Sequence, residues 1–408
     1  MAQSYKFYAV DDDAYSLEIV SRYLRDAGYG VSTSTSSTQA LSEIVEQRPD
    51  CVITDLMMPG LDGLELCSRI RKEPALANTK VVVVSGKAYE FDRRRAREMG
   101  ANGYVTKPIN REGFLSSVQR ILEDKIVVDF WGVRGTLPVP GPKTVRFGGN
   151  TSCVTMSFPD ESYFIFDAGS GIRTLGDALM RRGGRVTAKI FISHPHWDHI
   201  NALPFFTPLY IRGNEFEILG AAHGDRSVRD LIKAQMDDVF FPITLREFGA
   251  SLSFRDLREE TIEVGSIQVK TMLLSHPGYC LGFRMTYKGR SVCYITDNEL
   301  YLPTMPQYNP HYVERLIDFV RDADVVITDT TYTDEIYPQR VDFGHSSVSQ
   351  VVDFVHRAKV KELYLFHHDP SETDDDVERK HAAACKALEK LGSSTRCIAP
   401  PEGSQIRI

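Results

Sequence analysis

The sequence contains no C-x-x-C pair, and its seven cysteines are an odd number. Neither a disulfide framework nor a thiolate zinc finger is indicated, so Cys51, Cys67, Cys153, Cys280, Cys293, Cys385 and Cys397 read mostly as buried, reduced core residues. No apolar run approaches the length of a membrane span, and the start "MAQSYKFYAVDDD" lacks the basic residues and long apolar segment of a secretory signal. A cytoplasmic location without a membrane partner is expected. Positive charge is not in excess: the net charge of -7 disfavours a nucleic-acid partner larger than a small nucleotide. No residue type is enriched enough for a fibrous or disordered class, with 42% hydrophobic and 25% charged residues. At 408 residues the chain is long for one core, and two domains are expected.

What is present from Tyr5 to Asp124 is an alternation of short apolar runs with amphipathic stretches: "KFYAV", "CVITD", "KVVVVS" and "GYVT" are each followed by a helical pattern. Such alternation predicts a parallel α/β sheet, whose chemistry gathers where strands end. Asp11, Asp12, Asp55, Ser85 and Lys107 all fall at or just after those ends. Clustered carboxylates repel one another unless a cation sits among them, and hard oxygen ligands suit Mg²⁺. Asp13 receives no role, and "RRRAR" at 93–97 reads as a solvated helix face.

This ordered set closely resembles the receiver domain of bacterial response regulators over residues 5 to 124, a flavodoxin-like fold with a five-stranded parallel sheet. The resemblance implies that Asp11, Asp12 and Asp55 hold Mg²⁺ and that Asp55 accepts a phosphoryl group from a sensor histidine kinase. Ser85 and Lys107 then sense the phosphate, Tyr104 is the aromatic switch residue, and "MMPGLDG" after Asp55 fits the family loop. Pairing of receivers into a homodimer is expected on the same ground. A first domain over 1–124 and a second over 125–408 follow, joined without a Pro- or Gly-rich linker. The junction is expected to be short and stiff enough to transmit a conformational change.

In the second part, "SHPHWDHI" follows the strand-like "AKIFI". His194 and His196 are two apart and share a side of an extended segment, while Asp198 and His199 follow as the chain turns into a helix. Imidazoles and carboxylates suit Zn²⁺, Mn²⁺ or Fe²⁺, and four ligands on one short loop exceed what a single catalytic metal usually takes from one segment. Downstream strand ends supply further ligands: "TMLLSHPG" offers His276, "SVCYITD" Asp297, and "ELYLFHHDP" either His367 or His368.

The H-x-H-x-D-H loop with these later residues resembles the metallo-β-lactamase superfamily, an αββα sandwich, over residues 125 to 408. That resemblance assigns His194, His196 and His276 to one metal and Asp198, His199 and His367 to a second, with Asp297 bridging. Two such cations activate a water as nucleophile. By the same resemblance His367 is the last ligand and His368 a substrate or supporting contact, and Asp167 in "FDAGSG" orients a ligand imidazole. Trp197 has no metal role in this reading and is expected to pack the loop.

Lactam-cleaving members often carry a cysteine where this chain has Asp297, and the redox branch replaces a loop histidine that this chain keeps as His196. "DFGHSS" at 342–347 resembles the "GHS/T" motif of the phosphodiesterase branch, which includes ribonuclease Z. Asp198 and His345 are thereby the catalytic candidates, His345 as general acid. Ser346 as a helix cap is the competing explanation of that motif. Residues 228–248 are mixed in charge and aromatic, and read as a helical lid with Phe240, Phe241 and Pro242 at its tip, or equally as core. "RFGGNTS" at 146–152 offers backbone donors or a plain glycine turn.

The expected protein is thus a response regulator whose output is a dinuclear-metal phosphodiesterase for small phosphodiesters such as cyclic nucleotides or dinucleotides. The alternatives are a lactone, thioester or carboxylic-ester hydrolase under the same control, and a non-catalytic metal-bound signalling module.

Overall fold

The structure is a computed structural model that describes residues 5–87, 89–239 and 241–408. The chain forms two compact units: Met1–Ile126 with the short segments Ser157–Ser162 and Arg181–Arg185, and the remainder, 127–156, 163–180 and 186–408. None of the described helices is long and apolar enough to cross a membrane.

The first unit alternates β1 (Lys6–Val10), α1 (Ala14–Asp26), β2 (Gly30–Ser34), α2 (Ser37–Gln47), β3 (Cys51–Asp55), α3 (Gly63–Lys72), β4 (Lys80–Ser85), α4 (Glu90–Glu98), β5 (Gly103–Thr106) and α5 (Arg111–Glu123). The strands pair in parallel in the order β2-β1-β3-β4-β5. β3 is buried throughout and β4 carries four successive buried valines, the pattern of strands covered on both faces by helices. Short polar residues start the helices: the side chains of Asp13, Ser36, Asp62 and Asn110 accept backbone N–H groups in the first turns of α1, α2, α3 and α5. Asp13, without a role in the sequence reading, is therefore a helix cap.

The second unit contains two seven-stranded sheets. The first comprises β6 (Val127–Gly132), β7 (Cys153–Ser157), β8 (Tyr163–Phe166), β9 (Thr187–Ile192), β10 (Glu215–Ala221), β11 (Ser251–Leu257) and the C-terminal Gln405–Arg407 strand, with α6 (Gly171–Arg182) following β8 and the single-turn α7 (Trp197–Ile200) following β9. The second runs in order through β12 (Thr261–Val264), β13 (Ile267–Leu273), β14 (Leu281–Tyr287), β15 (Arg290–Ile295), β16 (Val325–Asp329), β17 (Glu362–Phe366) and β18 (Arg396–Ile398). Phe166 and Phe191 of the first sheet meet Phe283 and Tyr294 of the second at ring separations of 5.4–5.6 Å, with Phe166–Phe191 stacked at 5.2 Å. This aromatic layer joins the sheets face to face.

Helices cover the outer faces. Ile172 and Leu175 of α6 pack under the first sheet. Leu316 and Val320 from the Pro310–Val320 helix, Val351 and Val355 from Val348–Arg357, and Ala384 and Leu388 from Asp374–Lys390 pack against the second sheet. The result is an αββα sandwich. Among the described residues of 228–248, Val228, Ile232, Met236 and Phe248 are buried in this core with Phe241 against them, which favours the core reading over a lid. Phe240 lies outside the described residues. "RFGGNTS" is a turn, with Gly148 at φ 100° and its carbonyl accepting from Arg134 Nε at 3.0 Å.

The aromatic layer should be the mechanical centre of the sandwich. Phe166→Ala is expected to cost about 3–5 kcal/mol, seen as a lower urea midpoint, whereas Phe166→Leu should cost clearly less.

Candidate metal centres

At the receiver's strand ends, Lys107 Nζ donates to Asp11 Oδ2 at 2.9 Å and to Asp55 Oδ1 at 2.6 Å. The other Asp55 oxygen accepts Met57 N at 2.6 Å, and Asp11 Oδ1 accepts Asp13 N at 2.9 Å. Burial lifts the pKa of Asp11 above its ordinary value although Lys107 opposes it, so one ammonium does not fully compensate this cluster. Asp12 is exposed beside it. The all-oxygen donor set fits Mg²⁺. Ser85 Oγ accepts Lys87 N at 3.1 Å, and Tyr104 is buried, its hydroxyl donating to Lys87 O at 2.9 Å. Arg93, read as part of a solvated face, instead lies over the Tyr104 ring at 5.3 Å and donates to Thr106 Oγ1 at 2.8 Å.

In the second unit the ends of both sheets meet at one group of ligands. His194, His196, His276 and Asp297 bring their donor atoms within 4.8 Å of one another, and so do Asp198, His199, Asp297 and His367. Asp297 belongs to both groups and divides its oxygens between them. Its Oδ2 is 3.6 Å from the Nε2 atoms of His194 and His276, while its Oδ1 is 3.2 Å from His199 Nε2 and 3.1 Å from His367 Nε2.

The strand ends explain this convergence. His194 follows β9, His276 follows β13, Asp297 follows β15 and His367 follows β17, and the single turn α7 swings Asp198 and His199 back toward the same point. His367 takes a left-handed backbone, φ 58°, which a side chain rarely adopts without tertiary support.

The remaining ring nitrogens are held from behind. His199 Nδ1 meets Asp167 Oδ2 at 2.8 Å, and Asp167 also accepts from Ser193 N at 2.7 Å and from Tyr294 Oη at 2.7 Å. His194 Nδ1 meets Ser193 Oγ at 3.1 Å, His276 Nδ1 meets Gly344 O at 2.8 Å, and His367 Nδ1 meets Thr331 Oγ1 at 3.2 Å. Thr136 N donates to Asp198 Oδ2 at 2.7 Å. Each of these four imidazoles thus keeps one nitrogen for the centre, while His196 meets His276 Nε2 through its Nδ1 at 3.1 Å.

The Nε2 atoms of His194 and His199 are buried without a hydrogen-bond partner. Leaving such atoms bare costs about 1–3 kcal/mol each, so the arrangement fits two cations. Electrostatics agree. Burial raises the carboxyl pKa of Asp297, but His367 and His199 outweigh it and hold it well below its ordinary value; His199 and His367 do the same for Asp198. Burial depresses the His194 pKa well below the usual histidine value, keeping the ring neutral and able to donate a lone pair.

His345 stands beside the ligands, its ring stacked on His367 with centroids 4.9 Å apart. Its Nδ1 is 2.8 Å from Asp329 Oδ2, and Asp329 is itself fixed by Thr331, whose N and Oγ1 donate to Oδ1 at 2.9 and 2.7 Å. Burial lowers the His345 pKa, but Asp329, with Asp297 and Asp198, more than reverses this and raises it to about 9. Glu299 holds the same loop, accepting Gly344 N at 2.7 Å and Asp342 N at 2.9 Å.

Sequence reasoning did not single out Asp329, Glu299 or Thr136. Asp329 ends "VVITD", the same pattern that drew attention to Asp55 and Asp297, so its signal was present. Glu299 and Thr136 act through backbone contacts and carry none. The cap of the following helix is Ser347, in a capping box with Gln350, while Ser346 Oγ donates to Asn298 O at 2.5 Å.

Two expectations are corrected. His368 is fully buried, which removes the substrate contact and leaves the supporting role, and its Nδ1 lies 4.0 Å from Glu372 Oε2. Trp197 does not pack the loop but stands 80% exposed, because the one-turn α7 directs its neighbours Asp198 and His199 inward. Of the cysteines, Cys385 is exposed and the others buried. Cys385 and Cys397 form a third cluster with His381, but His381 Nε2 already meets Cys397 O at 3.0 Å.

Fold and centre together define a metallo-β-lactamase-type domain preceded by a receiver. Residues 163–368, half of the chain, match the β-lactamase superfamily domain, and residues 7–119 match the response regulator receiver domain. The chain belongs to the β-lactamase superfamily, with a receiver domain at its N-terminal end.

Among curated relatives, the alkaline phosphatase synthesis transcriptional regulatory protein PhoP of Bacillus subtilis is 31% identical over 29% of this chain and 48% of its own. The protein PilG of Pseudomonas aeruginosa is 31% identical over 28% of this chain and 84% of its own. The chain thus spans about half the length of PhoP, and both likenesses concern the receiver alone. Among solved structures, the metallo-β-lactamase fold protein YhfI of Bacillus subtilis covers 70% of this chain and 100% of its own, with 17% identity and a TM-score of 0.50, a likeness of fold.

Elemental analysis is expected to find about two transition-metal ions per chain. In Asp297→Ala the content should fall to about one or fewer, and chelation should lower the wild-type thermal midpoint; unchanged metal content in the variant would contradict the bridging role.

Proposed function

We propose that this chain is a response regulator, with a receiver over 1–124 and an output domain over 125–408, whose output is a dinuclear-metal phosphodiesterase gated by phosphorylation of Asp55. The observation that carries this reading is the buried Asp297 shared by two ligand groups, with the Asp329–His345 pair at its side. Small phosphodiesters, cyclic nucleotides or dinucleotides among them, are the substrates.

Zn²⁺, Mn²⁺ or Fe²⁺ ions bound by these residues supply Lewis acidity, which lowers the pKa of water and offsets the charge of a phosphodiester. Asp198, held by Thr136 N, stays ionised and fixes one side of the centre. His345 is oriented by Asp329 through Nδ1, which leaves Nε2 to give a proton to the leaving alkoxide or to hydrogen-bond a phosphoryl oxygen. Carboxylic-ester and lactone cleavage need no such donor for a poor leaving group to the same degree, and this favours the phosphodiester. In the receiver, a sensor histidine kinase supplies the phosphoryl group to Asp55 with Mg²⁺ held by Asp11, Asp12 and Asp55. Lys107, now bonded to Asp55, is placed to meet the added phosphate, and Ser85 and Tyr104 to respond to it.

The leaving group tests the role of His345. His345→Ala should lower kcat on an alkyl diester by about 100-fold or more and on a p-nitrophenyl diester by about tenfold or less. Equal losses on both would remove the general-acid role, and brisk lactone turnover without diester turnover would replace the substrate class.

Gating has its own test. Acetyl phosphate with Mg²⁺ should add one phosphoryl group, read by intact mass, and change the diesterase rate; Asp55→Asn should abolish both effects.

A further inference from the structure

Four aromatic side chains of the second unit are strongly exposed among the described residues: Trp197 at 80%, Phe205 at 56%, Phe343 at 55% and Tyr279 at 53%. Phe205 has a ring partner, Phe241, with centroids 5.3 Å apart. The other three each sit on a residue that belongs to, or touches, the first ligand group. Trp197 lies between the ligands His196 and Asp198. Tyr279 follows Gly278, where a Cβ would come within 3.5 Å of His196 Nε2 and 3.7 Å of His194 Cδ2. Phe343 precedes Gly344, whose carbonyl meets His276 Nδ1 at 2.8 Å.

Three exposed rings are therefore carried on three separate loops whose neighbouring residues belong to, or touch, the histidines of one metal position. Exposed aromatic surface is costly, and its presence on three loops that meet at these histidines points to a ligand that covers it. Nitrogen-bearing groups accompany the rings. The Arg340 guanidinium lies over the Phe343 ring at 5.4 Å, is exposed and has no carboxylate within ion-pair range among the described residues, and His223 meets Tyr279 edge-on at 5.2 Å.

We infer that Trp197, Tyr279 and Phe343 form a stacking rim for the nucleobase of a nucleotide phosphodiester, with Arg340 meeting the anionic charge beside it. A flat heteroaromatic ring joined to a phosphate is the ligand that uses both features, because every base offers a π-face for stacking and the phosphate seeks the guanidinium. The inference deepens the phosphodiesterase reading and rests on it. It makes the rim, and not the ligand residues, the source of preference for a base over a plain alkyl group.

The test compares thymidine 5′-(p-nitrophenyl) phosphate with ethyl p-nitrophenyl phosphate, two diesters that share a leaving group, on the metal-loaded full-length protein. The wild type should favour the thymidine ester in kcat/KM, and Trp197→Ala should reduce that preference by about tenfold. Binding is read separately in Trp131→Phe, which keeps Trp197 as its single indole because the chain has only two tryptophans. AMP should quench its fluorescence and ribose 5-phosphate should not. Turnover of both esters with no preference, or with a preference that Trp197→Ala leaves intact, overturns the rim while sparing the phosphodiesterase reading. Turnover of neither ester overturns that reading and the rim with it. A self-associated protein that Trp197→Ala converts to a single chain would make the rim a contact between copies instead.

Discussion

The buried carboxylate of Asp297 is the constraint on which the second unit is organised. One oxygen faces His194 and His276, the other His199 and His367, and no other residue belongs to both ligand groups. A charge that deep is tolerated only when it is compensated, and here the compensation comes from imidazoles carried by both sheets. The sandwich, its aromatic layer and the outer helices keep those strand ends within a few ångströms of one another. A shift of one sheet along the other would separate His194 from Asp297, so packing and chemistry are coupled through this residue.

Behind the ligands stands a layer of polar residues that aims them. Asp167 gathers Ser193, His199 and Tyr294, while Asp329 gathers Thr331, Asn298 and His345. Both aspartates are fully buried at strand ends, and both hold a histidine by Nδ1. The two differ in what they aim: Asp167 a ligand, Asp329 a ring outside either ligand group. On the proposed reading, that difference separates metal retention from catalysis.

Much of this was legible in the sequence because one rule served both domains: an apolar run ending in an acid or histidine marks a strand end with chemistry. "CVITD", "CYITD" and "VVITD" obey it alike, and Asp329 was passed over only because the known ligand pattern was already complete without it. Glu299 and Thr136 were invisible for a different reason, since backbone N–H contacts leave no mark on residue type or spacing. Trp197 was misjudged because facing depends on one turn of helix, which periodicity does not report, and the substrate contact of His368 failed because its burial leaves no mark on the motif. The 228–248 segment left lid and core open because its apolar residues, which pack in the core, alternate with charged ones.

The receiver and the metal centre use related physics to different ends. On the proposed reading, the first holds carboxylates that one lysine only partly compensates, so that an added phosphoryl group disturbs them, and the second fixes its ligands so that a reacting phosphate does not. The central claim, that two metals sharing Asp297 form a hydrolytic centre, is tested most directly by titrating metal-free protein with Mn²⁺ while following diesterase rate. The account predicts little activity at one equivalent and a steep rise as about the second equivalent binds; full activity with one equivalent, or with none, would contradict it.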